Sequence, residues 1–194
     1  NDKSLKFNSI SNLAEDENGD LWIGTWGGGL NKFDRTTEQF SYYHNNKDDP
    51  ASISSDFVSS LCQDKQGNLW VGTSNGGLNL LDKNTGKFIH YINEKDDSTS
   101  LSDNYIRDIY EDHEENLWIG TDNGGLNLLD KAKKKFICYR HDSKNSKSLS
   151  HNVVWNIFED SKRNLWIGTY GGGLNLFNRE AKEFKHFKKP LNNK

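Results

Sequence analysis

Four aspartates, Asp16, Asp64, Asp112 and Asp160, recur at a spacing of 48 residues. Acid pairs about 5 to 10 Å apart are what glycoside cleavage requires. A catalytic pair need occur only once, however, and fourfold recurrence fits turn capping in each of four repeated units. The six histidines, His44, His90, His113, His141, His151 and His186, show no metal-ligand spacing, and the nearest pair, His141 and His151, falls in a polar loop. Trp26-Gly-Gly-Gly29 lacks the Lys-Ser/Thr and the strand-to-helix setting of a phosphate loop, so it reads as a turn. The sequence therefore predicts no catalytic residue, no metal site and no cofactor.

Positions that differ between units say more about binding than positions that repeat, because the repeat itself already explains the latter. Two variable places stand out. After the Leu-Trp-Ile-Gly-Thr run the varying residues are Trp26, Ser74-Asn75, Asp122-Asn123 and Tyr170. Inside the preceding run they are Ser11-Asn12, Ser59-Ser60, Arg107-Asp108 and Trp155-Asn156. Aromatic rings able to stack on a sugar, beside Asp, Asn and Arg able to bond its hydroxyls, are what a carbohydrate site uses. Trp26, Arg107, Asp108, Asp122, Asn123, Trp155, Asn156 and Tyr170 are accordingly the candidate ligand-binding residues. The competing expectation is structural: Trp26 and Tyr170 packing over a neighbouring unit, and Arg107 with Asp108 as a local ion pair.

The elements that must hold these residues follow from the spacing. Trp22, Trp70, Trp118 and Trp166 stand 48 residues apart without insertion or deletion, so one unit is written four times. Each unit holds four short runs that favour strand. Examples are Ile106–Asp112, then Leu117–Thr121, apolar on both faces, then Leu126–Asp130, then Phe136–Tyr139 with charge nearby. Gly67-Asn68 and Gly76-Gly77 read as tight turns between successive runs. A four-stranded antiparallel sheet this small cannot bury both faces alone, so units must stack face to face. The expectation is an all-β fold, a β-propeller of four-stranded antiparallel blades, with a linear β-solenoid as the runner-up. Residues 1–194 form one propeller or part of one, with blades at about 4–51, 52–99, 100–147 and 148–194. The first run would line the channel, the fourth the rim, and both variable places would fall at the channel or its mouth. Ser-Leu recurrence argues that the long loops at 44–56, 92–104 and 140–152 are ordered.

Asp64-x-x-Gly-Asn-Leu-Trp-Val-Gly-Thr73, Gly76-Gly-Leu-Asn79 and the Ser-Leu-Ser-x-Asn stretch at 100–104 resemble the two-component regulator propeller repeat. The resemblance implies the periplasmic or extracellular sensor region of a bacterial hybrid two-component system, many of which control the use of complex carbohydrates. Departures from the repeat fall on turns: Glu114-Glu115 and Lys162-Arg163 replace Asp-x-x-Gly, and Asn178 stands where other units have Asp34, Asp82 and Asp130. A second similarity, to quinone-dependent propeller dehydrogenases, rests on Val71–Gly76 and Asp82–Lys87 of one unit and lacks the blade-closing Trp. The resemblance implies a ring of more than four blades. With no methionine and no membrane-spanning run in the sequence, the chain reads as a piece of a longer protein or an engineered one. Two copies joined head to tail, giving eight blades, would cover the terminal faces.

Net charge −3 offers no basis for nucleic acid or anionic membrane as a partner. The Lys131–Lys135 run, with Lys144 and Lys147, is interspersed with acids and reads as a solvated face. Cys62 and Cys138 fall in different runs of different units and read as unbridged packing residues. The functional expectation is a non-catalytic module that senses an oligosaccharide or similar solute, or else a self-assembling or protein-binding scaffold.

Overall fold

In the computed structural model, which describes residues 3–189, the chain is four four-stranded antiparallel sheets in a row. Unit one contains β1 (Ile10–Glu15), β2 (Leu21–Thr25), β3 (Leu30–Asp34) and β4 (Gln39–Tyr43). Unit two contains β5 (Val58–Gln63), β6 (Leu69–Thr73), β7 (Leu78–Asp82) and β8 (Lys87–Tyr91). Unit three contains β9 (Ile106–Glu111), β10 (Leu117–Thr121), β11 (Leu126–Asp130) and β12 (Lys135–Tyr139). Unit four contains β13 (Val154–Glu159), β14 (Leu165–Thr169), β15 (Gly173–Asn178) and β16 (Glu183–Phe187). Each sheet is a simple meander, and the first strands β1, β5, β9 and β13 lie side by side along the channel.

Stacking supplies the core. Three apolar clusters form, one at each junction between consecutive sheets. Between units two and three, Trp70 and Leu78 of one sheet meet Leu101, Ile106, Ile109, Leu117 and Phe136 of the next. A glycine in each second strand sets the approach. A side chain at Gly72 would put its Cβ 2.6 Å from Ile106 Cγ2, and at Gly120 it would lie 2.6 Å from Val154 Cγ1. The β-branched residue of one sheet therefore occupies the space the glycine of its neighbour leaves free.

Polar bonds repeat with the same period. Asp64, Asp112 and Asp160 each accept the indole N–H of Trp70, Trp118 and Trp166 at 2.9, 2.8 and 2.9 Å, as well as turn N–H groups. Unit one departs from this pattern. Lys32, where the other units have leucine, reaches Asp16 at 3.2 Å and Asp20 at 2.9 Å, and Trp22 Nε1 has no partner among the described residues.

The hairpin turns keep one backbone shape whatever their residues. Gly19 and Gly67 have φ of 81° and 80°, and Glu115 and Arg163 in the same turn have 64° and 67°. Asn68, beside Gly67 in the same turn, does not enter the left-handed region. The long loops are ordered by serine, since Ser52, Ser100 and Ser148 Oγ accept the backbone N–H of Asn46, Glu94 and Asp142 at 2.9 Å each. Cys62 and Cys138 are both free.

Candidate functional site

The mouth of the channel is built where the second-to-third turn of each unit meets the start of the first strands. In every unit the residue after the threonine donates its backbone N–H to the carbonyl of the residue one place before that unit's inner strand: Trp26 to Ser9, Ser74 to Phe57, Asp122 to Tyr105, Tyr170 to Val153. Turn glycines of one unit also bond the loop of the next, as Gly77 N–H to Asn104 O at 2.9 Å and Gly125 N–H to Asn152 O at 2.9 Å. The frame is thus constant while its side chains change.

A bulge aims the variable residues. In the pairing of first with second strands, Ile10 faces Thr25 and Asn12 faces Gly24, leaving Ser11 as an extra residue. The same shift sets apart Ser59, Arg107 and Trp155. Bulges turn a side chain out of strict alternation and are common where a strand end carries function.

The result between units three and four is a connected cluster. Arg107 Nε and Nη2 donate to Asp122 Oδ1 at 2.8 and 2.5 Å. The guanidinium also lies 4.5 Å from the Tyr105 ring centroid and 5.0 Å from that of Trp155. Trp155 and Tyr170 stack at 6.0 Å with an interplanar angle of 22°, although 46% and 64% of their surfaces remain exposed. Asn123 donates its side-chain N–H to Asp122 Oδ2 at 3.3 Å. Trp26 stands apart from these, tilted against Phe57 at 6.5 Å at the junction of units one and two.

Asp108 and Asn156 belong to a different system. Asp108 accepts the backbone N–H of Ile157 at 2.7 Å and its neighbour Ile109 N–H at 3.0 Å, stitching β9 to β13. Ser60 does the same one junction earlier, accepting Ile109 N–H at 3.2 Å. Burial pushes the Asp108 carboxyl up to about 6, against the pull of those N–H donors. Asn156, at the equivalent position in unit four, is exposed. The ion pair of Arg107 is with Asp122, and Asp108 takes no part in it.

At the opposite end of the channel a second set of groups recurs that the sequence reading passed over. Lys131 Nζ bridges Asp64 of the preceding unit at 3.3 Å and Glu111 of its own at 2.9 Å. Arg179 bridges Asp112 at 2.6 Å and Glu159 at 2.7 Å in the same way. Glu111 and Glu159 also accept the backbone N–H of Lys65 and His113 in the preceding unit. Although burial opposes it, bonds from Trp118, Arg179 and Asn116 hold the Asp112 carboxyl below its usual range. The signal was available as a basic residue directly after every third strand: Arg35, Lys83, Lys131 and Arg179. Lys131, grouped in the sequence with a solvated lysine patch, belongs to this clasp. Among the described residues, no group of three or more His, Cys, Asp or Glu is arranged to hold a metal ion.

Comparison with known proteins agrees with the repeat architecture. The two component regulator propeller family matches residues 4–27, 52–75, 100–123 and 148–171. The extracellular domain of the putative hybrid two component system BT3049 from B. thetaiotaomicron is 30% identical, with a TM-score of 0.82 over 98% of this chain and 26% of its own length. That of BT4673 from the same organism is 28% identical, with a TM-score of 0.53 over 90% of this chain and 29% of its own. The chain thus spans about a quarter of the length of these relatives. Virginiamycin B lyase from Staphylococcus aureus, at 14% identity and a TM-score of 0.69 over 95% of this chain and 57% of its own, shares the fold alone. No curated protein matches the chain in sequence. With four copies of the repeat in unbroken register and four meander sheets stacked around a channel, the chain belongs to the two component regulator propeller family, as a propeller segment of the kind found in the extracellular domains of putative hybrid two component systems.

Proposed function

We propose that this chain is a non-catalytic ligand-sensing module that works outside the cytoplasm and takes an oligosaccharide, or a solute of similar chemistry, at the channel mouth for two-component signalling. The observation that carries this reading is the cluster of Trp155, Tyr170, Arg107, Tyr105 and Asp122. Two stacked, half-exposed aromatic rings offer a platform for the apolar face of a pyranose. Arg107 and Asp122 present a donor and an acceptor at its edge, already held in place by one another, so little ordering is left to oppose binding. The relatives that share 28–30% identity are by description extracellular domains of putative hybrid two component systems, which supports the same class.

The test is calorimetric titration with a panel of plant and bacterial oligosaccharides. Trp155→Ala should weaken the best ligand by tenfold or more, about 1.4 kcal/mol, with the melting temperature held. If no saccharide in the panel binds, the oligosaccharide reading fails.

A further inference from the structure

In every unit the outer strand runs past the loop that opens that unit, and three of the four close the gap with a ring. Tyr42 of β4 donates its hydroxyl to Ser4 O at 2.6 Å. His90 of β8 and His186 of β16 donate Nε2–H to Ser52 O at 2.8 Å and to Ser148 O at 2.7 Å. The fourth member of the series, Cys138 of β12, is too short for this bond. Its Sγ turns to Gly124 O at 3.2 Å, and among the described residues Ser100 O accepts no hydrogen bond.

A cleft of about 450 Å³ opens between Ser100 and Cys138, lined also by Leu101, Arg140, Glu94 and Asp96. That size falls within the usual range for small-molecule sites. Its chemistry is specific to unit three. Arg140 has Nε 3.4 Å from Cys138 Sγ and Nη2 3.5 Å from Ser102 O, and no carboxylate partner among the described residues. The other units carry His44, Ile92 and Lys188 at its position, so the guanidinium and the missing ring coincide here alone. A planar guanidinium fork left in this way suits a carboxylate. Glu94 and Asp96, whose carboxylates also have no partner among the described residues, suit a cation. The polarisable sulfur of Cys138 favours the edge of an aromatic ring, and Ser100 O requires a donor.

We propose that this cleft binds a small zwitterion with a planar N–H ring, the class of a free α-amino acid with an imidazole side chain. The ring N–H donates to Ser100 O, the carboxylate pairs with Arg140, and the ammonium lies against Glu94 and Asp96. The ligand thus supplies from solution the ring that the other units supply from their own outer strands. The site lies at the rim and does not depend on the aromatic cluster at the channel mouth.

Titration with imidazole and with L-histidine, followed by amide chemical shifts, tests this. Both should bind at millimolar concentration or below, and L-histidine should bind tenfold or more tightly than imidazole because it adds two charged contacts. Arg140→Ala should remove most of that advantage and leave imidazole binding as it is. Cys138→His installs the ring used elsewhere in the repeat and should abolish binding of both, with an unchanged circular dichroism spectrum. Cys138→Leu should do the same by volume alone. Trp155→Ala should alter neither affinity, which separates this site from the one at the mouth. A wild-type chain that binds no L-histidine, equal affinity for the two probes, or histidine binding that survives Cys138→His and Cys138→Leu overturns the proposal.

Discussion

The two ends of the channel are made by the same strands and treat variation in opposite ways. At the base, an aspartate, a tryptophan indole and a basic residue recur from unit to unit, and in units two to four the aspartate serves its own hairpin and its own tryptophan, with Asp64 and Asp112 also holding the next unit's cation. At the mouth, the backbone bonds are just as regular, but the side chains run from Ser59 to Arg107 to Trp155 at one bulge position. Cohesion is concentrated where three functions meet in one carboxylate. Recognition can diversify where the main chain alone carries the structure.

Breaking the base should have the largest effect. Asp112→Ala removes the acceptor for Trp118, Asn116 and Arg179 together, leaving a buried indole N–H without a partner and Arg179 held by Glu159 and Glu114 alone. We expect a loss of about 3 kcal/mol in urea denaturation, against a near-neutral result for the mouth variant Trp155→Ala. Equal losses at the two sites would erase the distinction.

Asp108, beside the mouth but engaged in stitching, sharpens the contrast through pH. Its carboxyl is raised from 3.8 to about 6 on folding, so the folded state holds its proton more tightly than the unfolded one. The ionised form therefore costs stability at neutral pH; the cost fades as pH falls through 6 and is gone near 4. Asp108→Asn can keep an acceptor for Ile157 N–H, as the neutral Ser60 does for Ile109 N–H at the equivalent position. It should stabilise the chain by about 1 kcal/mol at pH 7 and not at pH 4, seen in paired thermal melts. A gain that is the same at both pH values would refute the burial argument.

The smallest effect expected is at a turn. Glu115 holds φ of 64° where units one and two use glycine. Glu115→Gly should raise stability by about 0.5 kcal/mol through relief of left-handed strain, measurable by denaturant midpoint. A loss would mean that the Gln66 contact to Glu115 outweighs the backbone term.

Strand order, channel side and hairpin positions were legible because a period of 48 residues repeats every local signal four times. The aspartates were legible as turn caps and not as tryptophan partners, since capping is local and the indole bond spans the hairpin. The pairing of Arg107 was hidden by the bulge at the strand end. Adjacent residues in an extended strand point to opposite faces, and the extra residue carries Arg107 towards a turn 15 positions later rather than towards Asp108. The clasp at the base was hidden because its members come from consecutive units, so no single copy of the repeat displays it.

The glycine in each second strand has a consequence for ring geometry. It lets the inner edges of adjacent sheets close to within a methyl group of contact. A side chain there would act as a shim, prising the inner edges apart and narrowing the wedge between sheets, so that more of them would be needed to complete a circle. Blade number in such a protein is therefore tuned less by what each sheet contains than by how little stands between neighbours at Gly24, Gly72, Gly120 and Gly168.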